Sequence, residues 1–102
     1  MPKVVAELTI VPLGTASPSL SEYVAEVEMA LREVVGLQVM LTPMATVLEG
    51  ELDLVLQAVR EVHELPFLAG AQRVSTRLSI DDRRDKEITM QGKVAAVEEK
   101  LH

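Results

Sequence analysis

The apolar residues of this chain change period along its length, and the order of those periods restricts the fold more than any single residue does. Val4, Ala6, Leu8 and Ile10 alternate with Val5, Glu7, Thr9 and Val11, which describes a strand with one apolar face and one mixed face. Pro12 and Gly14 end it. From Ser19 to Val35 the spacing turns helical: Leu20, Tyr23, Val24, Val27, Leu31 and Val34 follow the helical period. Ser19 and Glu22 have the spacing of a capping box, and Gly36 stands where a C′ glycine stops a helix. Leu37 to Thr42 reads as a second strand. Pro43-Met44-Ala45 breaks it, and Thr46 to Glu49 resumes as a third, close enough for a hairpin, with Gly50 closing it. Glu51 to Leu65 is a second helix, with Leu52, Val55, Leu56, Val59 and Val62 on one face. Pro66 forbids its continuation, because proline lacks the N–H and disfavours helical backbone at Leu65. Val74, Thr76, Leu78 and Ile80 then alternate with Arg73, Ser75, Arg77, Ser79 and Asp81 in a fourth strand. Beyond the charged turn from Asp82 to Lys86, Met90, Val94, Val97 and Leu101 return to a helical period.

Strand, helix, strand, strand, helix, strand and one further helix is the α+β, ferredoxin-like split βαβ plan (βαββαβ) with an extra C-terminal helix. Two helices cover one face of a four-stranded antiparallel sheet in which the first and third strands are neighbours. The opposite face is expected to carry Val5, Thr9, Val11, Met40 and Arg77. The C-terminal helix or another subunit must cover part of it. A length of 102 residues is room for one domain, residues 1–102.

Composition narrows the function classes. Ten Lys and Arg stand against sixteen Asp and Glu, a net charge of −6. Affinity for nucleic acid rests largely on phosphate neutralisation, and single-strand binders stack bases on aromatic rings. Tyr23 and Phe67 are the whole aromatic set, so no nucleic-acid partner is expected. A neutral or cationic small ligand, or another protein, fits the charge better. There is no cysteine, which excludes disulfides, thiolate-bound zinc and Cys nucleophiles. No apolar run approaches a membrane span and no signal-peptide pattern opens the chain, so a cytoplasmic protein with no membrane partner is expected. A small core without aromatics, in a chain that is 48% hydrophobic, points to self-association as a dimer or tetramer.

Four stretches invite a chemical reading, and each has a plainer one beside it. Pro12-Leu13-Gly14-Thr15-Ala16-Ser17 places hydroxyls ahead of a helix, as a ligand loop or as an ordinary strand-to-helix turn. Thr42 to Gly50 sets Met44 at a hairpin tip with Glu49 one short strand away, as a pocket wall or as a hairpin with a solvated carboxylate. His63-Glu64 has no second His at zinc-protease spacing and reads as a packing or helix-terminal histidine. Asp81 to Lys86 interleaves acids with Arg and Lys, which favours a salt-bridge network over a hard-cation site. No Ser-His-Asp order, cofactor glycine signature or paired carboxylates appear, so neither catalysis, a resident cofactor nor a bound metal is expected.

These stretches resemble the small thiamine-binding-protein family. The resemblance is carried by Pro12-Leu13-Gly14-Thr15, by Ser19 to Ala25, by Thr42 to Gly50, by His63-Glu64 and by Arg73 to Arg83, with Lys93-Val94 and Val97-Glu98 fitting in the tail. It spans nearly the whole chain. The family pattern has Gly where this chain has Ala45, so the site is expected to be narrowed or shifted there. The resemblance implies a ferredoxin-like fold assembled as dimers and tetramers, and a non-catalytic carrier or sensor of thiamine or its hydroxymethylpyrimidine half. The alternative is a structural or regulatory oligomer that binds another small molecule or none. An aminopyrimidine offers an amine donor and ring-nitrogen acceptors. The expected contacts are therefore Thr15, Ser17, Met44, Thr46 and Glu49, with the Glu49 carboxylate reading the amine. Met44 or Tyr23 would have to lie against the rings.

Overall fold

In the computed structural model, which describes residues 3–15 and 20–101, β1 (Lys3–Pro12) is the longest strand and lies inside the sheet. It is followed by α1 (Ser21–Arg32), β2 (Gln38–Leu41), β3 (Thr46–Glu51), α2 (Leu52–His63), α3 (Leu65–Leu68), β4 (Val74–Asp81) and α4 (Met90–Lys100). The strand order is β2-β3-β1-β4 with every pairing antiparallel. That is the ferredoxin-like arrangement, and β1 and β3 are neighbours, with Val5 opposite Glu49 and Leu8 opposite Thr46.

The alternation along β1 sorts its side chains as the period requires. Val4, Ala6 and Leu8 are buried with Leu48 of β3 against Val27 and Leu31 of α1 and Val55, Ala58, Val59 and Val62 of α2. Val5 turns to the other face, where Val47, Ile88 and Met90 pack on it as a second, smaller cluster. Helix α4 covers the sheet there through its first turn alone, and every residue from Gln91 to Leu101 is exposed. Arg77 and Met40 are left exposed on that face, and Thr9 and Val11 half-buried.

Several boundaries differ from the sequence reading. Helix α1 begins at Ser21 with Leu20 in the N-cap position and no side-chain cap. The expected capping box rests on Ser19, which lies outside the described residues. The helix ends at Arg32 rather than Val35. Tight turns carry the chain on, with Glu33 and Val34 donating to the carbonyls of Ala30 and Leu31. Gly36 then takes φ +90, a backbone that side-chain-bearing residues rarely adopt. Gly50 does not close β3. It sits inside the strand opposite Val4, where a Cβ would come within 3.3 Å of the Gly36 carbonyl oxygen. Helix α2 ends at His63, two residues before the expected Leu65, and the chain turns helical again at Leu65 itself, with buried Pro66 in the first turn of α3. A missing N–H costs nothing at a helix start, where the first donors have no intrahelical acceptor.

Candidate ligand site

The hairpin between β2 and β3 is shaped by one side chain. The Thr42 hydroxyl donates to the Ala45 carbonyl at 2.7 Å and accepts from the Ala45 N–H at 3.1 Å. The backbone adds a bond from Thr42 N–H to the same carbonyl at 2.9 Å. Among the described residues no non-glycine has a positive φ, so Ala45 sits in ordinary backbone and its methyl group adds bulk without strain. Beside this turn β1 runs on past Leu8, the last of its residues to pair with β3. Helix α1 crosses above with Leu20, Val24 and Val27. The three elements enclose a cleft of about 180 Å³, floored by Leu8 and Ile10 and edged by Leu41 and the turn from Thr42 to Thr46. The volume lies below the ~300–1,000 Å³ of sites for drug-sized molecules, so it suits one small ring with the rest of a ligand outside. Met44, 87% exposed, stands at the rim.

Of the five residues expected from the sequence, the four that are described do not converge. Met44 and Thr46 line this cleft. Thr15 lines a different, open depression with Leu13, Gly14, Tyr23 and Arg73, so Tyr23 and Met44 line different depressions. Ser17 lies outside the described residues. Glu49 is on the opposite face of the sheet from Thr46, as three residues along a strand must be. It is 3% exposed. Its Oε1 accepts the Met90 N–H at 2.8 Å, and its Oε2 lies 3.8 Å from Lys3 Nζ. The carboxylate thus caps the first turn of α4, where it meets the positive end of the helix dipole.

Behind Thr46, outside the lining of the cleft itself, lies a carboxylate that the sequence reading passed over. Glu28 of α1 is 6% exposed, and the Thr46 hydroxyl donates to its Oε1. Its Oε2 is buried and accepts no hydrogen bond among the described residues. Arg32, one helical turn on, holds Nε at 3.6 Å from Oε2 and keeps the pair balanced in charge. The signal was present in the sequence: Glu28 falls four residues after Val24 and three before Leu31, inside the apolar stripe of its helix, where a charge is unusual.

The other singled-out stretches have structural partners. His63 Nδ1 is 2.7 Å from Thr76 Oγ1, and its ring meets Phe67 edge-on at 5.6 Å, so it joins α2 and α3 to β4. In the charged turn Arg83 binds both oxygens of Asp85, Arg84 binds both of Asp82, and Lys93 of α4 reaches Asp81. The hydrogen bonds from Arg84 and Arg83, aided by their charge, hold the Asp82 and Asp85 carboxyls below the usual carboxylate value. Among the described residues no group of three His, Asp or Glu could hold a metal ion, and no helix is long and apolar enough to cross a membrane.

A split βαβ sheet with an apolar cleft edged by hydroxyls and a buried carboxylate behind one of them defines a ferredoxin-like α+β protein with a candidate small-ligand site. The profile of the thiamine-binding protein family matches residues 6–98, and the chain belongs to that family. It is 43% identical over 100 residues to the UPF0045 protein YqgV of Bacillus subtilis, covering 95% of this chain and 96% of that one. It is 46% identical over 99 residues to a UPF0045 protein of Methanothermobacter thermautotrophicus, covering 96% and 99%. A Methanocaldococcus jannaschii protein of solved structure superposes with a TM-score of 0.87 at 42% identity, over 97% of this chain and 99% of that one. A Thermotoga maritima structure described as a candidate thiamine biosynthesis or salvage protein superposes at 0.78 with 25% identity, over 94% and 99%.

Proposed function

We propose that this protein binds thiamine or its hydroxymethylpyrimidine half, without transforming it, in the cleft between α1 and the β2–β3 hairpin. The observation that carries the reading is the cleft itself: about 180 Å³, aliphatic within, with Thr42, Thr46 and Met44 at its edge, in a chain of a family named for thiamine. One pyrimidine ring fills such a space, while the cationic thiazolium lies at the rim beside Met44 in a protein of net charge −6. No histidine lines the cleft among the described residues, which favours binding over acid–base chemistry. Of the contacts expected from the sequence, Met44 and Thr46 enter this site. Thr15 and Glu49 have places elsewhere.

Self-association to a dimer or tetramer belongs to the same proposal, with the protein acting in the cytoplasm. Val94 and Val97 are exposed on α4 and Leu101 just after it, and Met40 and Leu41 are exposed on the edge strand β2. Apolar groups grouped in this way favour association. Light scattering at micromolar concentration should return two or four chain masses.

Calorimetry and thermal unfolding with thiamine and with its pyrimidine half test the ligand. A ligand at ~100 times its Kd should add about 2.7 kcal/mol of stability. No heat and no thermal shift with either would remove the thiamine reading and leave a structural or regulatory oligomer.

A further inference from the structure

The polarity of the cleft's hydroxyl edge follows from where its protons go. A threonine hydroxyl has one proton and two lone pairs. The Thr46 proton is donated to Glu28 Oε1, and the Thr42 proton to the Ala45 carbonyl. Neither hydroxyl has a proton left for a ligand, and both retain acceptor capacity. Glu28 enforces this at Thr46, because an ionised carboxylate only accepts and obliges its neighbour to donate. It is also buried, with Arg32 as its ion-pair partner, so its negative charge is little screened by solvent at the Thr46 oxygen.

We infer that the Glu28–Thr46 pair makes this cleft selective for a ring that presents an N–H donor to Thr46, and sets it against the same ring carrying a carbonyl oxygen there. This rests on the cleft being the ligand site proposed above, and adds to it the feature of the ligand that is read. An amino group donates to Thr46 and adds a third member to a chain of hydrogen bonds ending on the carboxylate. A carbonyl oxygen in its place meets only lone pairs, and a buried polar atom without a partner weakens binding strongly.

The test uses two matched pairs: thiamine against oxythiamine, which has a 4-oxo group in place of the 4-amino group, and the isolated 4-amino-2-methylpyrimidine against its 4-oxo counterpart. Calorimetry on the wild-type protein should show at least about a tenfold preference for the amino member. Thr46→Val removes the acceptor and should bring the two members within about twofold, while Thr46→Ser should keep the preference. Glu28→Gln supplies an amide N–H that can donate to Thr46, freeing its proton to turn to a carbonyl. The preference should then shrink or reverse, which a purely structural role for Glu28 would not produce. If that variant does not fold, the two Thr46 variants decide. Thiamine binding without discrimination in the wild type, or discrimination unchanged in Thr46→Val, overturns the inference and leaves the thiamine reading standing. Preference within the isolated pair alone keeps the inference, assigns the pyrimidine half as the ligand and removes intact thiamine. Binding of none of the four overturns both.

Discussion

Two carboxylates are buried among the described residues, one on each face of the same sheet, and they differ in what they hold. Glu49, between β3 and α4, has the Met90 N–H on one oxygen and Lys3 3.8 Å from the other. Glu28, between α1 and β3, has the Thr46 hydroxyl on Oε1 and Arg32 3.6 Å from Oε2, which accepts no hydrogen bond. The first carboxylate seats the first turn of α4 on Val5 and Val47. The second orients a hydroxyl that lines a cleft. Burial alone therefore does not mark a ligand site. What separates the two positions is the group that each carboxylate fixes: a backbone N–H spent within the fold, or a side-chain oxygen that still accepts.

The largest expected effect comes from Leu48, which lies on β3 between Thr46, the partner of Glu28, and Glu49. Leu48 is fully buried in the main core. Leu48→Ala should cost about 2–5 kcal/mol in denaturant unfolding, the range for large-to-small core changes. Both faces should loosen together, and a loss confined to one of them would mean that the two carboxylates report on independent units.

Glu49→Gln separates the faces. It removes the charge that meets Met90 N–H and Lys3 while keeping the shape, and should cost about 1–3 kcal/mol. Amide exchange should quicken in α4 and not in α1, and thiamine affinity should stay within about twofold. A large affinity loss with α4 still protected would put Glu49 back among the ligand contacts.

The smallest effect concerns the exposed charged turn that leads into α4. Asp82 and Asp85 are held below the ordinary value of 3.8 by Arg84 and Arg83. Carboxyls lowered in the folded chain stabilise it above their unfolded value, and that contribution disappears as the pH falls through the folded values. Acid titration of the Arg83→Ala, Arg84→Ala double variant should therefore show a shallower stability loss below pH ~4 than the wild type. The difference should be small, as for other exposed pairs. Identical acid limbs would show that the two pairs do not couple to folding.

The order of elements was legible because periodicity is a local property. Val4 to Val11 cannot bury Val4, Ala6 and Leu8 together except as a strand, and the helical spacing of Leu52 to Val62 leaves one apolar face to pack on it. Even the separation of Thr46 from Glu49 was implicit, since an odd spacing along a strand sends side chains to opposite faces. What no local pattern contained was the identity of long-range partners. Glu28 and Thr46 are 18 residues apart, and Glu49 and Met90 are 41. In the sequence Glu49 beside a hairpin looked like an open acceptor, and the charge of Glu28 inside an apolar stripe had no visible partner. The backbone N–H that fills the first carboxylate, and the hydroxyl that the second orients, depend on which elements the sheet brings together. That is decided by packing three-dimensional faces against each other, so only the tertiary structure distinguished the helix cap from the candidate ligand site.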